Sequence, residues 1–412
     1  MSPTSHARAR RRDRRVYLGG HPVLFGLLAA TRGRPVLRIG GTLLVHGTDA
    51  YREALTRLQL DRTAGGTTGA AARSALGGTG GVLFDQEGGD HRADRGHLSD
   101  GLGAAGVEKL REAWRPLLAQ HLAPLTAQGG EVDVVALARE LSGTVVCSLL
   151  GSAADPGEVA RAASDAAAAS VRSHLPGPRR PRAEAAAVRS TDRLVGLLGR
   201  VRDPAPAGRR AGATGGSPAA DRRPGTPHGH VPDLAQPPAR RGHGLLRADG
   251  APAAMVAVAA VNTTVAALPR AVAWCADAGL WDRAADEAQR PLLAAELLRV
   301  TAASPLLPRA AAADGTVGGC PVRAGDRLLL VARHAADAHR RDPDALRPAE
   351  PALSRLVFGA GPHTCPGARL ATAQLADVLA ALAPYRPVVT RARVDRGAAL
   401  PGWRTLRVRA AS

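Results

Sequence analysis

Cys365 is the residue of this 412-residue chain around which chemistry is best concentrated. It lies in residues 356–371 (LVFGAGPHTCPGARLA), after a Gly/Pro-rich loop. A run with Leu370, Ala371, Leu375, Val378, Leu379 and Leu382 at helical spacing follows it. Pro366 suits the first position of that helix, where a fixed backbone angle is pre-organised and a missing N–H would lack a partner anyway. Backbone N–H groups and the positive end of the helix macrodipole would then surround the sulfur and favour thiolate over thiol. A thiolate is a nucleophile or a metal ligand. No second cysteine or histidine stands at zinc-like spacing from Cys365, which argues against a closed four-ligand zinc site.

Other residues have spacings that could serve such a centre. His91 and Arg95 are four apart, share a helical face and suit a carboxylate. Glu296 and Arg299 are three apart and can pair on one face. Residues 259–264 (AAVNTT) lie in an apolar helical run from 251 to 280, where by pattern alone they are ordinary core.

The pattern Phe358, Gly361, Cys365, Gly367 resembles the haem-thiolate loop of the cytochrome P-450 superfamily, in its soluble, bacterial-type form. Glycines let the backbone approach a flat macrocycle, and a phenylalanine can shield the sulfur from water. Thiolate ligation pushes electron density onto iron and favours O–O cleavage. The resemblance implies that Cys365 is the axial metal ligand of one haem b (iron protoporphyrin IX), with Phe358, Gly359 and Gly367 around the ring and His363, His91, Arg95 and Arg309 toward its propionates. It also implies that the small pair Ala259 and Ala260 leaves room for substrate and dioxygen, and that Thr263, beside Thr264, is a proton-relay residue. Asn262 replaces the family's usual acid, so it can hydrogen-bond but exchanges no proton readily. That leaves room for a peroxygenase, isomerase or coupling activity beside ordinary monooxygenation. Glu296 and Arg299 match a structural ion-pair network whose usual third arginine is replaced by Ala345, with Arg347 as the expected substitute.

Around this centre the chain is expected to be mainly α with a small β region, one P-450-like domain over residues 16–412. Residues 1–15 read as a basic, flexible arm. Residues 22–30 are too short an apolar run to span a bilayer and read better as a short helix ended near Gly33 than as a signal peptide. A hairpin of Val36–Ile39 and residues 42–46 follows, and Asp49 is placed to cap the next helix. Residues 63–81 read as a loop. Helices are expected over 107–150, over 156–198 with a break at 175–181, and over 291–300. Short strands are expected at 317–331 and in the tail at 388–408.

Residues 202–244 break this pattern. They hold no aromatic residue, and Val231 and Leu234 are their only large aliphatics. Such a stretch buries too little apolar surface to offset its ordering entropy, so it reads as disordered insertion or out-of-frame translation, the latter implying an inactive product.

The net charge of +19 comes almost wholly from arginine, Lys109 being the only lysine. With Phe, Tyr and Met scarce and Ala, Gly and Pro abundant, that is the imprint of a GC-rich gene more than of nucleic-acid binding. Four widely spaced cysteines, Cys147, Cys275, Cys320 and Cys365, point to a reducing compartment. Monooxygenation of a small, largely apolar substrate by a cytoplasmic monomer, with O2 and electrons from a separate donor such as ferredoxin with its reductase, is what the resemblance implies. Arg340, Arg341, Arg355 and Arg369 could steer that donor.

Overall fold

The basic N-terminus, expected to be a flexible arm, is a docked helix. The computed structural model describes residues 3–75, 88–174, 181–199 and 250–411, so the break at 175–180 and the anomalous 202–244 segment lie outside the described residues. In α1 (Pro3–Gly20), Ala9, Asp13, Val16 and Tyr17 recur every one to four residues on one buried face. Asp13 decides the docking. Its Oδ1 accepts from Arg270 Nε at 2.7 Å and its Oδ2 from Arg333 Nη1 at 3.0 Å. Both guanidinium groups also lie over the Tyr17 ring, 4.5 and 4.3 Å from its centre. A lone acid amid arginines, in phase with apolar residues, was the sequence signal for this helix.

α2 (Pro22–Thr31) leads into the antiparallel hairpin β1 (Val36–Ile39) and β2 (Thr42–Val45). α3 (Thr48–Thr56) starts after Gly47, so Asp49 sits inside its first turn, where it accepts from Arg52 at 3.1 Å rather than capping. After β3 (Leu60–Asp61) comes α4 (Thr68–Ala75), inside the stretch expected to be a loop. The Thr67 hydroxyl accepts the Ala70 N–H at 3.2 Å, a cap that the Gly/Thr/Ala composition concealed; residues 76–81 lie outside the described residues.

The helical body follows as α5 (Gly88–Leu102), α6 (Ala104–Leu122), short β4 (Glu131–Asp133), α7 (Val134–Leu150), α8 (Pro156–His174) and α9 (Pro181–Leu198). α10 (Gly250–Ala278), α11 (Trp281–Ala285) and α12 (Arg290–Thr301) complete it. Asp133 caps α7 by accepting the Val135 N–H at 3.0 Å. Gly143 lets α7 and α8 touch, since a Cβ there would lie 2.0 Å from the Pro156 carbonyl oxygen. α10 is long and apolar enough to cross a bilayer by length and composition, but it packs between α7, α8, α9 and α12 and carries the buried Arg270.

β5 (Leu307–Ala311), β6 (Gly315–Val317), β7 (Cys320–Val322) and β8 (Arg327–Leu330) form the β region with the N-terminal hairpin. The five-stranded sheet has the order β1-β2-β8-β5-β3, with β2 and β8 parallel. Two short helices, α13 (Ala332–Ala335) and α14 (Pro351–Ser354), precede the cysteine loop. α15 (Ala368–Leu382) follows it, and the tail strands β9 (Val388–Asp395) and β10 (Gly402–Arg409) pair with each other, β10 also pairing with β4. One core joins α6, α7, α10, α12 and α15 through Trp114, Leu141, Val272, Leu297 and Leu379. A second lies under the sheet, with Leu43, Tyr51, Leu328 and Leu356. The cysteine loop runs between the two, Leu356 in one and Phe358 packed against the other.

Candidate functional site

Cys365 is held by a loop that closes on itself. Its N–H donates to the Phe358 carbonyl at 2.8 Å, and the Thr364 N–H donates to the Gly361 carbonyl at 3.1 Å. Gly359 and Gly361 have φ of +84° and +71°, where a side chain would be strained. A Cβ on Gly361 would also lie 2.8 Å from the Leu55 carbonyl oxygen of α3, so this glycine sets how closely the loop approaches the sheet side of the molecule. Tyr51, which the sequence reading missed, donates from its hydroxyl to the Leu356 carbonyl at 3.2 Å and holds the loop's start. One of only three tyrosines, set among helix-phased Ala50 and Ala54, it was a detectable signal.

α15 begins at Ala368, so Pro366 stands in the turn before the helix and not at its first position. That shift changes the electrostatics. Burial pushes the Cys365 thiol above its ordinary value; the Gly367 N–H and the Arg95 charge pull it back only in part. The expected thiolate is therefore not produced by the helix mouth alone. Cys365 is exposed to solvent, although the protein around it is dense enough to raise the thiol. A metal ion bound there would displace the proton, since coordination deprotonates a thiol outright.

Arg95 is half-buried on α5 and close enough to Cys365 to act on it electrostatically. His91 lies one turn earlier on α5, but its side chain lies outside the described residues. His363 is half-buried in the short helical turn Gly361–His363, on the cysteine loop itself. Arg309, on β5, is the most informative cation. Its Nη1 donates to the Pro308 carbonyl at 2.8 Å and to Thr68 Oγ1 at 3.3 Å, while its Nε is buried without a partner. No carboxylate pairs with it among the described residues, and burial pulls its pKa down. A guanidinium kept in that state suits an anionic group that is not part of the chain.

On α10, Ala259, Ala260, Asn262, Thr263 and Thr264 are all half-buried within a helix whose flanks are core. The Thr263 hydroxyl donates to the Ala259 carbonyl at 2.7 Å. Asn262 is fastened at both ends of its reach, its amide N–H groups donating to Val258 at 2.8 Å and across to Ala163 of α8 at 3.3 Å. Among the described residues no hydrogen bond joins these side chains to the cysteine loop.

Glu296 and Arg299 form a fully buried bidentate pair at 2.7 and 2.9 Å. Glu296 also accepts the backbone N–H groups of Ala349 and Asp344, and Arg299 donates to the carbonyls of Ala336, Arg341 and Asp342. Arg347 does not complete the network. Its guanidinium is 87% exposed and reaches Asp344 instead, because backbone N–H groups already occupy the carboxylate it would have met.

No family model matches the chain. It is 29% identical over 308 residues to the 20-oxo-5-O-mycaminosyltylactone 23-monooxygenase of Streptomyces fradiae, an alignment covering 73% of this chain and 66% of that enzyme. The chain thus aligns with just under two thirds of that relative's length. Its fold is that of the mycinamicin VIII C21 methyl hydroxylase MycCI from Micromonospora griseorubida, with a TM-score of 0.66, 21% identity and coverage of 92% of this chain and 95% of that one. The cytochrome P450 CYP109B1 from Bacillus subtilis is equally similar, with a TM-score of 0.66 at 16% identity over 95% and 99% of the two chains. A mutant of P450 EryK in complex with erythromycin B also has a TM-score of 0.66, at 20% identity over 95% and 97%.

Proposed function

We propose that the chain is a haem-thiolate monooxygenase of the cytochrome P450 superfamily, one that inserts one oxygen atom of O2 into a small, largely apolar organic substrate; its similarity to a curated monooxygenase and its P450 fold support that reading. The observation that carries the proposal is the cysteine loop, which Gly361 shapes and which presents a solvent-exposed Cys365 to the Gly367 N–H and the charge of Arg95.

The residues present fit one haem b. Cys365 would ligate its iron, Phe358 and Gly359 would line the sulfur's side of the ring, and Gly367, whose Cβ position lies 3.7 Å from the sulfur, would keep that side open. The unpartnered Nε of Arg309 fits a propionate, and Arg95, His91 and His363 are assigned to the same pair of carboxylates. When bound, such a haem supplies the activation of dioxygen.

The chain's own contribution is space and protons. Ala259 and Ala260 keep the α10 wall low. Thr263 donates to the Ala259 carbonyl, which leaves its oxygen lone pairs to accept from a water; it passes a proton on only when the hydroxyl rotates off that carbonyl, with Thr264 next to it. Asn262 orients rather than transfers, since both of its donors are spent on carbonyls. Electrons would come from a separate acidic carrier, probed first as a ferredoxin with its reductase. Arg340, Arg355 and Arg369 are exposed around the loop, whereas Arg341 is half-buried with its guanidinium on the Arg347 carbonyl.

For substrate, the relatives' names supply the compounds to test first: a mycaminosyltylactone, mycinamicin VIII and erythromycin B. The deciding experiment is the carbon monoxide difference spectrum of the reduced protein beside Cys365→Ser. A strongly red-shifted Soret band, absent in the variant, is the expected result. Haem with an unshifted band in both proteins would overturn ligation by Cys365. Turnover of the panel with a ferredoxin and reductase then tests the reaction.

A further inference from the structure

α1 and α2 enclose a cavity of about 390 Å³, together with Trp274 of α10 and residues of the 331–339 segment. It shares no residue with the Cys365 site. Five arginines line it, Arg10, Arg11, Arg14, Arg32 and Arg333, and no carboxylate does. Arg10 is paired with Asp342 and Arg333 with Asp13. Arg11, Arg14 and Arg32 have no ion-pair partner among the described residues, so the mouth of the cavity carries uncompensated positive charge.

Its interior holds polar atoms that the chain leaves unsatisfied. Trp274 is 3% exposed, and its indole N–H is buried without an acceptor. Both ring nitrogens of His339 are likewise buried without a partner. His334, whose ring centre lies 4.8 Å from that of His339 with the planes tilted by 56°, is engaged through Nδ1 with His46 Nδ1 at 2.8 Å. Burial and the charges of Arg340, Arg32 and Arg333 hold the His339 imidazole down to about 4, so at neutral pH it offers one N–H and one lone pair. A buried polar group without a partner costs about 1–3 kcal/mol, and an acceptor placed in the cavity would recover part of that. The remaining wall is apolar, with Phe25, Leu28, Ala29 and Val331.

We propose that this cavity binds a small amphiphilic anion, its apolar body against Phe25 and Leu28, its carboxylate or phosphate head between Arg14 and Arg32 with the Trp274 and His339 donors below. Two charges placed at the mouth select the anion, and two buried donors select a group that can accept. A neutral molecule of the same shape would gain only the apolar contact.

The test is calorimetric titration of the full-length, haem-loaded protein with octyl phosphate, octanol and inorganic phosphate, beside the double variant Arg14→Ala/Arg32→Ala. Both arginines are exposed, so the variant keeps the fold. One-to-one binding of octyl phosphate is expected, at least tenfold tighter than octanol and tighter than inorganic phosphate. The double variant should weaken it about tenfold, two exposed charge contacts together amounting to about 1.4 kcal/mol. Trp274→Phe should weaken it too without changing charge. Equal affinity for octyl phosphate and octanol, or unchanged affinity in the double variant, would overturn the proposal. So would a Soret shift on adding octyl phosphate that persists in the double variant, which would put the probe at the Cys365 site. Cosedimentation with phosphatidylglycerol vesicles without saturable octyl phosphate binding would overturn it in favour of a lipid surface.

Discussion

Arg299 is fully buried and Arg309 half-buried with its Nε enclosed, and the protein treats the two guanidinium groups in opposite ways. Arg299 has Glu296 in bidentate contact and three carbonyls besides, so Nε, Nη1 and Nη2 all donate. Arg309 has one carbonyl, one threonine hydroxyl and a buried Nε with nothing to donate to. A polar network that is complete in the folded chain serves the fold. One that is left incomplete keeps a donor for a group outside the chain. The Glu296 network ties α12 to the segment 336–349 that precedes the cysteine loop, whereas the Nε of Arg309 is left without an acceptor among the described residues.

The strongest way to break this comparison is Glu296→Ala. It strands a buried cation and the N–H groups of Ala349 and Asp344, and should cost about 3–5 kcal/mol, read as a lowered denaturation midpoint in apo and haem-loaded protein alike. Arg309→Leu should do the reverse to the apo protein, whose stability should hold or rise by about 1 kcal/mol because an unpaired desolvated cation is gone. Haem retention should fall roughly tenfold or more, about 1.4 kcal/mol per tenfold, measured by transfer to apomyoglobin. Loss of apo stability equal to that of Glu296→Ala would show that Arg309 is structural after all.

Acid sharpens the contrast from a third region. His46, His334 and His339 are held below their ordinary value by burial, His334 to about 3 and His339 to about 4, with Arg32, Arg333 and Arg340 adding repulsion. In the unfolded chain these imidazoles take up protons near pH 6.5; folded, His339 resists until about 4 and His334 until about 3, and His46 is shifted in the same direction. Their contribution is therefore intact above pH 6.5 and lost progressively as pH falls toward 4 and then 3. A His334→Asn/His339→Gln variant should flatten the fall of denaturation midpoint between pH 6.5 and 4. Least in energy is Asn262→Asp. A carboxylate cannot donate to the Ala163 and Val258 carbonyls and must turn away from them, costing about 1 kcal/mol. If proton supply through α10 limits turnover, product formed per electron consumed should rise in the variant, checked by oxygen and product yields.

How much was legible in the sequence follows the range of the interactions. The hairpin Val36–Ile39 with Thr42–Val45, the α10 and α12 helices and the tail strands follow from periodicity and turn residues a few positions apart. The N-terminal helix and the helix at 68–75 did not, because arginine-rich and Gly/Thr-rich composition outweighed a buried Asp13 and a Thr67 cap that only a neighbour makes meaningful.

The same division runs through the site. By itself the sequence determined the cysteine loop with its glycines and the pairing of Glu296 with Arg299, all matters of spacing within sixteen residues or fewer. Tertiary structure alone decided that Asp13 clamps Arg270 across 257 positions, that backbone N–H groups and not Arg347 complete the Glu296 network, and that burial raises the Cys365 thiol. Desolvation is the reason. What a charge or a sulfur does depends on which atoms exclude water from it, and those atoms come from parts of the chain that only folding brings together.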